Sequence, residues 1–211
     1  DEVLKQNQID EIINRELDLM TKGKIADPLK AQEKIEQALD VLRQLGMPRA
    51  QINERSALTL LALLDLHPDG EWEKIERPML GVTPIMDWCR DVYGKEYAPN
   101  TRETFRRQTL HQFCDGGIAI YNPDKPERPV NSPKACYQIA PELHTVLLNY
   151  GSAKWETALK EHMGNVPTLV EQYAMARKME MVPLKLNDGT ELELSPGAHS
   201  QLIKDIIVEF G

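Results

Sequence analysis

The sequence predicts a mainly α-helical fold with small β-hairpins, in which a winged helix-turn-helix is accompanied by additional helices. Three observations support this prediction. Apolar residues recur at helical spacing along most of the chain. An arginine-rich helix at 100–115 is followed by two short β-like runs. A second pair of alternating segments, at 182–194, is joined by the strong turn signal Asn187-Asp188-Gly189.

The first part of the chain predicts a series of helices. Residues 1–27 are expected to form a helical N-terminal extension, because isoleucines recur there at helical spacing. A second helix is expected from Pro28, a favourable first-turn proline, to Gly46. A third helix, at 50–66, has almost no polar face, so we expect it to be buried on all sides.

Two further helices and a hairpin complete the order of a winged helix-turn-helix. One helix fits residues 83–93, and the next is expected to begin with a capping box. In that box Asn100 is the N-cap and Glu103 reaches back to the free backbone amide. The helix ends at Gly116-Gly117, which supplies the positive φ that a helix C-terminus favours.

The hairpin at 118–139 is the expected wing, so that the winged helix-turn-helix covers residues 50–139. Behind it the pattern predicts more helices, at 141–150, 152–163 and 167–180. We therefore assign residues 28–180 to a helical DNA-binding region. Residues 181–211, a hairpin followed by an amphipathic helix, look like the start of another domain.

Composition is that of an ordinary globular protein, with an uneven distribution of charge. The 211 residues carry 25 Lys and Arg against 33 Asp and Glu, a net charge of −8. Residues 99–138 contain six of the basic and four of the acidic residues, which gives +2 and leaves −10 for the remainder. A basic segment on an acidic body suits DNA binding through one face.

Other functional classes receive no support from the sequence. The three cysteines form no metal-binding spacing, so reduced thiols are expected and no metal site is predicted in this chain. No apolar run is long enough to span a membrane, and nothing resembles a signal peptide. We therefore expect a cytoplasmic protein without a membrane partner.

A helical wheel of the arginine-rich helix separates a buried arc from an exposed one. Phe105, Leu110, Phe113 and Cys114 fall on the buried arc, as does Arg106, which we expect to be a structural, ion-paired arginine. The candidate DNA-binding residues are the exposed or marginal polar residues of this helix and two near the wing: Thr101, Arg102, Thr104, Arg107, Gln108, His111, Asn131 and Lys134.

Several strings resemble the BsuBI/PstI family of type II restriction endonucleases. They include Q-I-N-E-R-S-A-L-T-L-L-A-L-L at 51–64, Y-G-K-E-Y-A-P-N-T-R-E-T-F-R-R-Q-T-L-H-Q-F at 93–113 and L-N-D-G-T-E-L-E-L-S-P-G-A-H-S-Q-L at 186–202. The resemblance covers residues 30–211. It implies a homodimeric, Mg²⁺-dependent enzyme that cleaves double-stranded DNA at a palindromic, CTGCAG-type site. It also implies an α/β nuclease domain, which residues 181–211 would begin.

The resemblance does not supply catalytic residues for this chain. Nucleases of this kind hold Mg²⁺ with carboxylates on neighbouring strands, and no such pair is recognisable here. The family has a glutamate at the position of Ala198, and Glu209 is the one acid we carry over as an accessory candidate. We therefore predict that the chain alone does not cut DNA and needs no cofactor, whereas the full-length parent needs Mg²⁺.

Two other functions remain open on the sequence. A non-enzymatic DNA-binding regulator would also contain a winged helix at 50–139. A protein-interaction module would suit the acidic charge and the methionine-rich helix at 167–180. Salt-dependent duplex binding separates the first two functions from the third.

Overall fold

The computed structural model describes residues 27–129, 132–179, 182–185 and 191–194 and, from residue 168 onward, the course of the backbone alone. Its helices are α1 (Pro28–Gln44), α2 (Glu54–Leu63), α3 (Val82–Tyr93), α4 (102–115), α5 (Pro141–Leu147) and α6 (Trp155–Met179). Its strands are β1 (Ala119–Tyr121), β2 (Tyr137–Ile139), β3 (Val182–Lys185) and β4 (Glu191–Leu194). The fold is mainly helical with small antiparallel hairpins, as the sequence predicts.

The chain divides into two compact units. The first contains the residues up to Glu76 together with Val82–Thr109. The second contains Arg77–Gly81 together with the residues from Leu110 onward. The helical segment α4 therefore begins in the first unit and ends in the second.

The first unit is built around α2, which is buried as its sequence predicts. Every side chain from Ser56 to Leu63 is fully buried. The buried hydroxyls have partners, because Asn53 Oδ1 accepts from the amide and hydroxyl of Ser56 at 3.0 and 3.3 Å. The Thr59 hydroxyl donates to the carbonyl of Arg55 at 2.8 Å. A buried helix with satisfied polar groups is a stable centre for this unit.

Helix α1 packs against α2 and is held by polar contacts at its N-terminus and in its middle. Its N-cap Asp27 accepts a hydrogen bond from the amide of Leu29 at 3.0 Å. Lys34 is nearly buried, and its ammonium donates to the carbonyl of Gly70 at 2.8 Å. Burial lowers the pKa of Lys34. The indole of Trp72 donates to the side-chain oxygen of Gln37, also at 2.8 Å.

The second unit contains the predicted wing hairpin and a third extended segment beside it. Strands β1 and β2 pair antiparallel, with Tyr121 opposite Tyr137. On its other side Tyr137 exchanges two backbone hydrogen bonds with Leu80, at 2.8 and 3.0 Å. Arg77 extends this contact, because its Nε donates to the carbonyl of Ile139 at 3.0 Å. Nothing in the local sequence pattern predicts this third segment.

Three helix predictions need correction. The helices predicted at 152–163 and 167–180 form one helix, α6, that continues through Pro167. A proline removes only one donor from the helical ladder, and this 25-residue helix continues on both sides of it. The helix predicted at 50–66 begins at Glu54 and ends at Leu63. It does not continue to residue 66, because Asp65 adopts a φ of 47°.

The N-terminal extension, the turn at Asn187-Asp188-Gly189 and the C-terminal amphipathic helix lie outside the described residues. The two strands that flank this turn are described, and they pair antiparallel with Val182 opposite Leu194. The predicted hairpin at 182–194 is thus confirmed for the backbone.

Candidate nucleic-acid interface

The turn that leads into α4 is fixed by contacts within the first unit. Helix α3 ends at Tyr93, and Gly94 follows with a φ of 66°. The Tyr93 hydroxyl donates to the carbonyl of Leu66 at 2.9 Å. The ring of Tyr97 meets that of Phe105 edge to face, with centroids 4.8 Å apart. Burial of Tyr97 raises its pKa to about 12, so the ring stays neutral at ordinary pH.

The predicted capping box at the start of this helix does not form. Asn100 lies inside a 3₁₀ turn, Pro99–Thr101, whose N-cap Ala98 makes no side-chain hydrogen bond. Glu103 faces two arginines instead of the free backbone amides. Local spacing predicted the capping box. The carboxylate of Glu103 binds the nearby guanidinium groups instead, because a hydrogen bond from a charged donor is stronger than one from a neutral amide.

Helix α4 is not a uniform α-helix. An α-helical turn at Arg102–Phe105 is followed by a π-helical segment, Arg106–Leu110, and a second α-helical turn, His111–Asp115. The far end closes as predicted, because Gly117 has a φ of 69° and the amide of Ile118 donates to the carbonyl of Phe113. π-Helical segments occur frequently at functional sites.

The two arcs of α4 lie largely where the helical wheel predicts them. Phe105, Leu110 and Phe113 are fully buried, whereas Arg107 and Gln108 are exposed. Thr109 is fully buried as well, and its hydroxyl accepts a hydrogen bond from Arg55 Nε at 3.0 Å. The sequence analysis missed Thr109, although its position four residues after Phe105 marks it as a neighbour on the same arc.

The prediction that Arg106 lies in the core is wrong. Its side chain is 31% exposed and pairs with Glu103, which is itself 53% exposed. Arg106 is ion-paired, as predicted, but at the surface. The error follows from the π-helical segment, which begins at Arg106: its wider turn means that residues before and after it are not related by 100° per residue.

Glu103 holds both adjacent arginines through one carboxylate. Its Oε2 accepts from Arg106 Nε at 2.9 Å, and its Oε1 accepts from Arg106 Nη2. The same Oε1 also accepts from Arg107 Nε at 2.5 Å. These hydrogen bonds, first with Arg106 and then with Arg107, lower the pKa of Glu103 to about 2. The carboxylate is therefore ionised at neutral pH.

The other candidate residues of α4 differ in exposure. Arg102 is exposed, and Thr101, Thr104 and His111 are partly exposed. In the first unit, the exposed side of α4 combines guanidinium, amide and hydroxyl groups, which suit the base edges and phosphates of DNA. The imidazole of His111 belongs to the second unit. These positions are those expected of the predicted contacts, and the contacts themselves stay predictions.

In the second unit, the loop between β1 and β2 is built on Asn122. This residue is fully buried with a φ of 48°. Its Oδ1 accepts from the amide of Cys136 and from Arg128 Nη1, each at 3.0 Å. Arg128 also donates to both carboxylate oxygens of Asp124, at 3.0 and 2.5 Å. The base of the loop is therefore cross-linked by side chains.

This network removes one cation from the predicted basic segment. The side chain of Arg128 is only 10% exposed, and its hydrogen bonds lower the pKa of Asp124 to about 2. Cys136 joins the network, with its thiol 3.3 Å from Asp124 and its pKa raised by burial. Arg128 therefore acts as part of the loop scaffold. The spacing of Asp124 and Arg128, four residues apart, was the available signal.

Two candidates near this loop have different outcomes. Lys134 is exposed, as a contact with a phosphate requires. Lys125 is also exposed and lies 3.7 Å from the carboxylate of Glu127. Asn131 is outside the described residues, as are Glu209 and Ala198.

Neither a metal cluster nor a membrane span is found in the part of the chain that the structure describes. Within these residues no group of three or more His, Cys, Asp or Glu side chains is arranged to hold a metal ion. No described helix is both long and apolar enough to cross a membrane.

Comparison with known proteins identifies a family. Residues 32–171 match the family model of the BsuBI/PstI restriction endonuclease HTH domain. The chain is similar to the type II restriction enzyme BsuBI of Bacillus subtilis, with 51% identity over 176 residues, 83% of this chain and 56% of that protein. It is similar to the type II restriction enzyme AplI of Arthrospira platensis, with 33% identity over 82% of this chain and 53% of that protein.

A solved structure shares the fold as well. The SdaI restriction endonuclease is 34% identical to this chain, with a TM-score of 0.61, over 89% of this chain and 57% of that one. The chain therefore spans a little over half the length of each of these three proteins.

Proposed function

Because the chain belongs to the BsuBI/PstI restriction endonuclease family, we propose that it reads double-stranded DNA for a type II restriction endonuclease through a winged helix-turn-helix. The observation that carries this proposal is the exposed pair Arg107 and Gln108 on the π-helical segment of α4. Buried aromatic residues on the opposite arc fix this helix in the fold. Its exposed side chains are thus presented from a rigid element.

The chemistry of the exposed arc suits readout in the major groove. An arginine donates two hydrogen bonds to O6 and N7 of guanine, and a glutamine pairs with N6 and N7 of adenine. Arg107 and Gln108 are therefore proposed to contact bases. Thr101, Arg102, Thr104 and His111 are proposed to contact phosphates or base edges.

The element order supports the winged form of this motif. Helices α2, α3 and α4 are followed by the hairpin of β1 and β2, and the segment at Leu80 lies between α2 and α3 in the chain. The loop of the hairpin is the proposed wing. Lys134 and Asn131 are proposed to contact the DNA backbone there, as charged and polar groups do in most protein–DNA complexes.

The properties of the whole enzyme are proposed by family resemblance. They are a homodimer, a palindromic CTGCAG-type site and Mg²⁺-dependent cleavage. A twofold dimer matches a palindrome, because each subunit reads one half of the site. Carboxylates that hold Mg²⁺ are expected in the longer protein. The chain alone is proposed not to cut DNA, and incubation with plasmid and Mg²⁺ tests this: site-specific products would contradict it.

Duplex binding by the 211-residue chain tests the proposed function. Fluorescence anisotropy would compare a short duplex containing CTGCAG with a scrambled one of equal length, between about 50 and about 200 mM salt. We expect tighter binding to the first duplex, and binding that falls steeply with salt as counterions are released. Binding that is absent, or that does not respond to salt, would refute the proposal.

Arg107→Ala is the residue-level test. It should weaken binding to the CTGCAG duplex by about 1–3 kcal/mol and relax specificity. Arg43→Ala is the matched control, because Arg43 is also an exposed helical arginine, on α1. Equal losses in the two variants would mean that Arg107 contributes only its charge.

A further inference from the structure

Glu103 is an exposed acid that lies beside the arginines of α4, the proposed recognition helix, and DNA binding as proposed does not account for it. Glu103 would face a polyanion, and an acid there costs affinity for any DNA sequence. Yet Glu103 is the residue on which Arg106 and Arg107 converge. The geometry of this carboxylate suggests a role that a merely solvated acid would not have.

The two arginines are held differently by Glu103. Arg106 is held through Nε and Nη2 on both carboxylate oxygens, in a two-pronged ion pair. Arg107 is held through Nε alone. Among the described residues the Nη1 and Nη2 atoms of Arg107 have no hydrogen-bond partner. These are the donors that an arginine presents to guanine when it approaches end-on.

We propose that Glu103 is a specificity-determining positioning residue, which holds Arg107 by its Nε so that the Nη1 and Nη2 pair is pre-oriented for a guanine. The proposal rests on the DNA-reading function proposed above. Without the carboxylate the 69%-exposed Arg107 side chain would sample many rotamers, and its ordering would oppose binding. A pre-oriented guanidinium has less freedom to lose at the correct base.

Repulsion between Glu103 and the phosphates lowers the affinity for DNA of every sequence. The carboxylate is ionised at neutral pH, and its arginine partners keep its pKa well below the usual range. Every DNA sequence meets this repulsion, whereas only a sequence with a correctly placed guanine gains the Arg107 contact. A penalty common to all sites cancels from the difference between two binding free energies, so the discrimination comes from the hold of Glu103 on Arg107.

The experiment replaces Glu103→Gln, which keeps the size and removes the charge, in the 211-residue chain. The control is Glu36→Gln, because Glu36 is an exposed glutamate on α1 that also accepts a side-chain hydrogen bond, from Gln32 at 3.0 Å. We expect Glu103→Gln to bind the scrambled duplex as well as or better than the wild type. Its preference for the CTGCAG duplex should fall by about tenfold, the loss of one oriented base contact.

A second measurement follows the arginine itself without DNA. In ¹⁵N NMR spectra, we expect the Nε–Hε proton of Arg107 to exchange slowly with water in the wild type and in Glu36→Gln. It should exchange fast in Glu103→Gln. The exchange rate reports the pairing of the Arg107 side chain with Glu103, which a loss of helix stability alone would not remove selectively. Unchanged melting temperatures exclude unfolding as the cause.

The outcomes separate the two proposals. Loss of CTGCAG preference together with fast exchange of Arg107 Nε–Hε supports the role of Glu103. A wild type that prefers CTGCAG, with the same preference in Glu103→Gln, overturns the positioning role and leaves the DNA-reading function intact. A protected Nε–Hε signal in a wild type that binds no duplex overturns the proposed function, and the specificity role with it.

Discussion

Arg128 reaches back to Asn122, whose side-chain oxygen accepts a hydrogen bond of 3.0 Å from the guanidinium Nη1. Asn122 follows β1 directly, and its oxygen also accepts from the amide of Cys136 just before β2. The side chain of Asn122 therefore joins the two ends of the loop between β1 and β2 and ties Arg128, in the middle of the loop, to them. The φ of 48° at Asn122 is tolerated by asparagine better than by most residues. The loop thus has a defined base although its two strands are short.

Replacing Arg128 should loosen this loop. Arg128→Ala leaves the buried oxygen of Asn122 with one donor fewer and leaves Asp124 without its partner. We expect the melting temperature to fall by a few degrees and limited proteolysis to cut within 122–136 sooner. Lys125→Ala, an exposed lysine of the same loop, is the control. Equal proteolysis of both variants would show that Arg128 does not organise the loop.

The neighbouring arginines of α4 should differ in their effects on binding, not on folding. Arg106→Ala removes a surface ion pair, and surface pairs contribute little to stability. We therefore expect Arg106→Ala and Arg107→Ala to melt close to the wild type, while Arg107→Ala loses more DNA affinity. A large fall in the melting temperature of Arg106→Ala would restore the buried position that the helical wheel predicted for it.

The buried hydroxyl of Thr109 should contribute to the anchoring of α4. Thr109→Val keeps the shape of the side chain and removes the acceptor of the Arg55 Nε hydrogen bond. We expect a loss of about 1 kcal/mol in the free energy of unfolding measured with urea. Thr145→Val is the control, because Thr145 is exposed on α5, and it should change stability by less than about 0.5 kcal/mol. Similar values for the two variants would contradict this assignment.

Mild acid should destabilise the fold through His162. This residue on α6 is 6% exposed, and its pKa is lowered from 6.5 by burial, against an opposing effect of Glu142. Between pH 6.5 and its lower pKa in the folded state, His162 binds a proton in the unfolded chain but stays neutral in the folded chain. The contribution of neutral His162 to stability is therefore fully present above pH 6.5 and is lost as the pH falls through the folded pKa.

The measurement is the melting temperature at several values of pH. His162→Gln should make the decline with falling pH shallower than in the wild type. His67→Gln, which removes a histidine whose side chain is 52% exposed, should retain the wild-type decline. An unchanged slope in His162→Gln would assign the acid sensitivity to other groups.

Several elements could be predicted because their causes are local. Helix α1 begins at Pro28 behind the N-cap Asp27, and α2 is buried because the apolar residues between Ala57 and Leu63 leave it almost no polar face. The end of α4 at Gly116 and Gly117 follows from the freedom of glycine at positive φ. Periodicity and capping chemistry act over a few neighbouring residues, so the sequence displays them directly.

Helical spacing also predicted the exposed positions of Arg107 and Gln108, because it places them opposite the buried arc of α4, which contains Phe105, Leu110 and Phe113. That spacing failed for Arg106, since a π-helical segment interrupts the regular turn. Nothing in the local sequence marks such a segment, whose position depends on how the flanking residues pack.

By itself the sequence determined the helical class of this protein, its main helices, its hairpins and the family to which it belongs. The tertiary structure decided which partner each charged group has. Glu103 binds two arginines and not the backbone amides. Arg128 binds Asp124 at the base of the loop and does not contribute to a basic surface. The reason is physical: helical periodicity is set by the backbone, whereas the choice among several possible partners depends on side-chain distances and burial in the folded chain, which spacing alone does not fix.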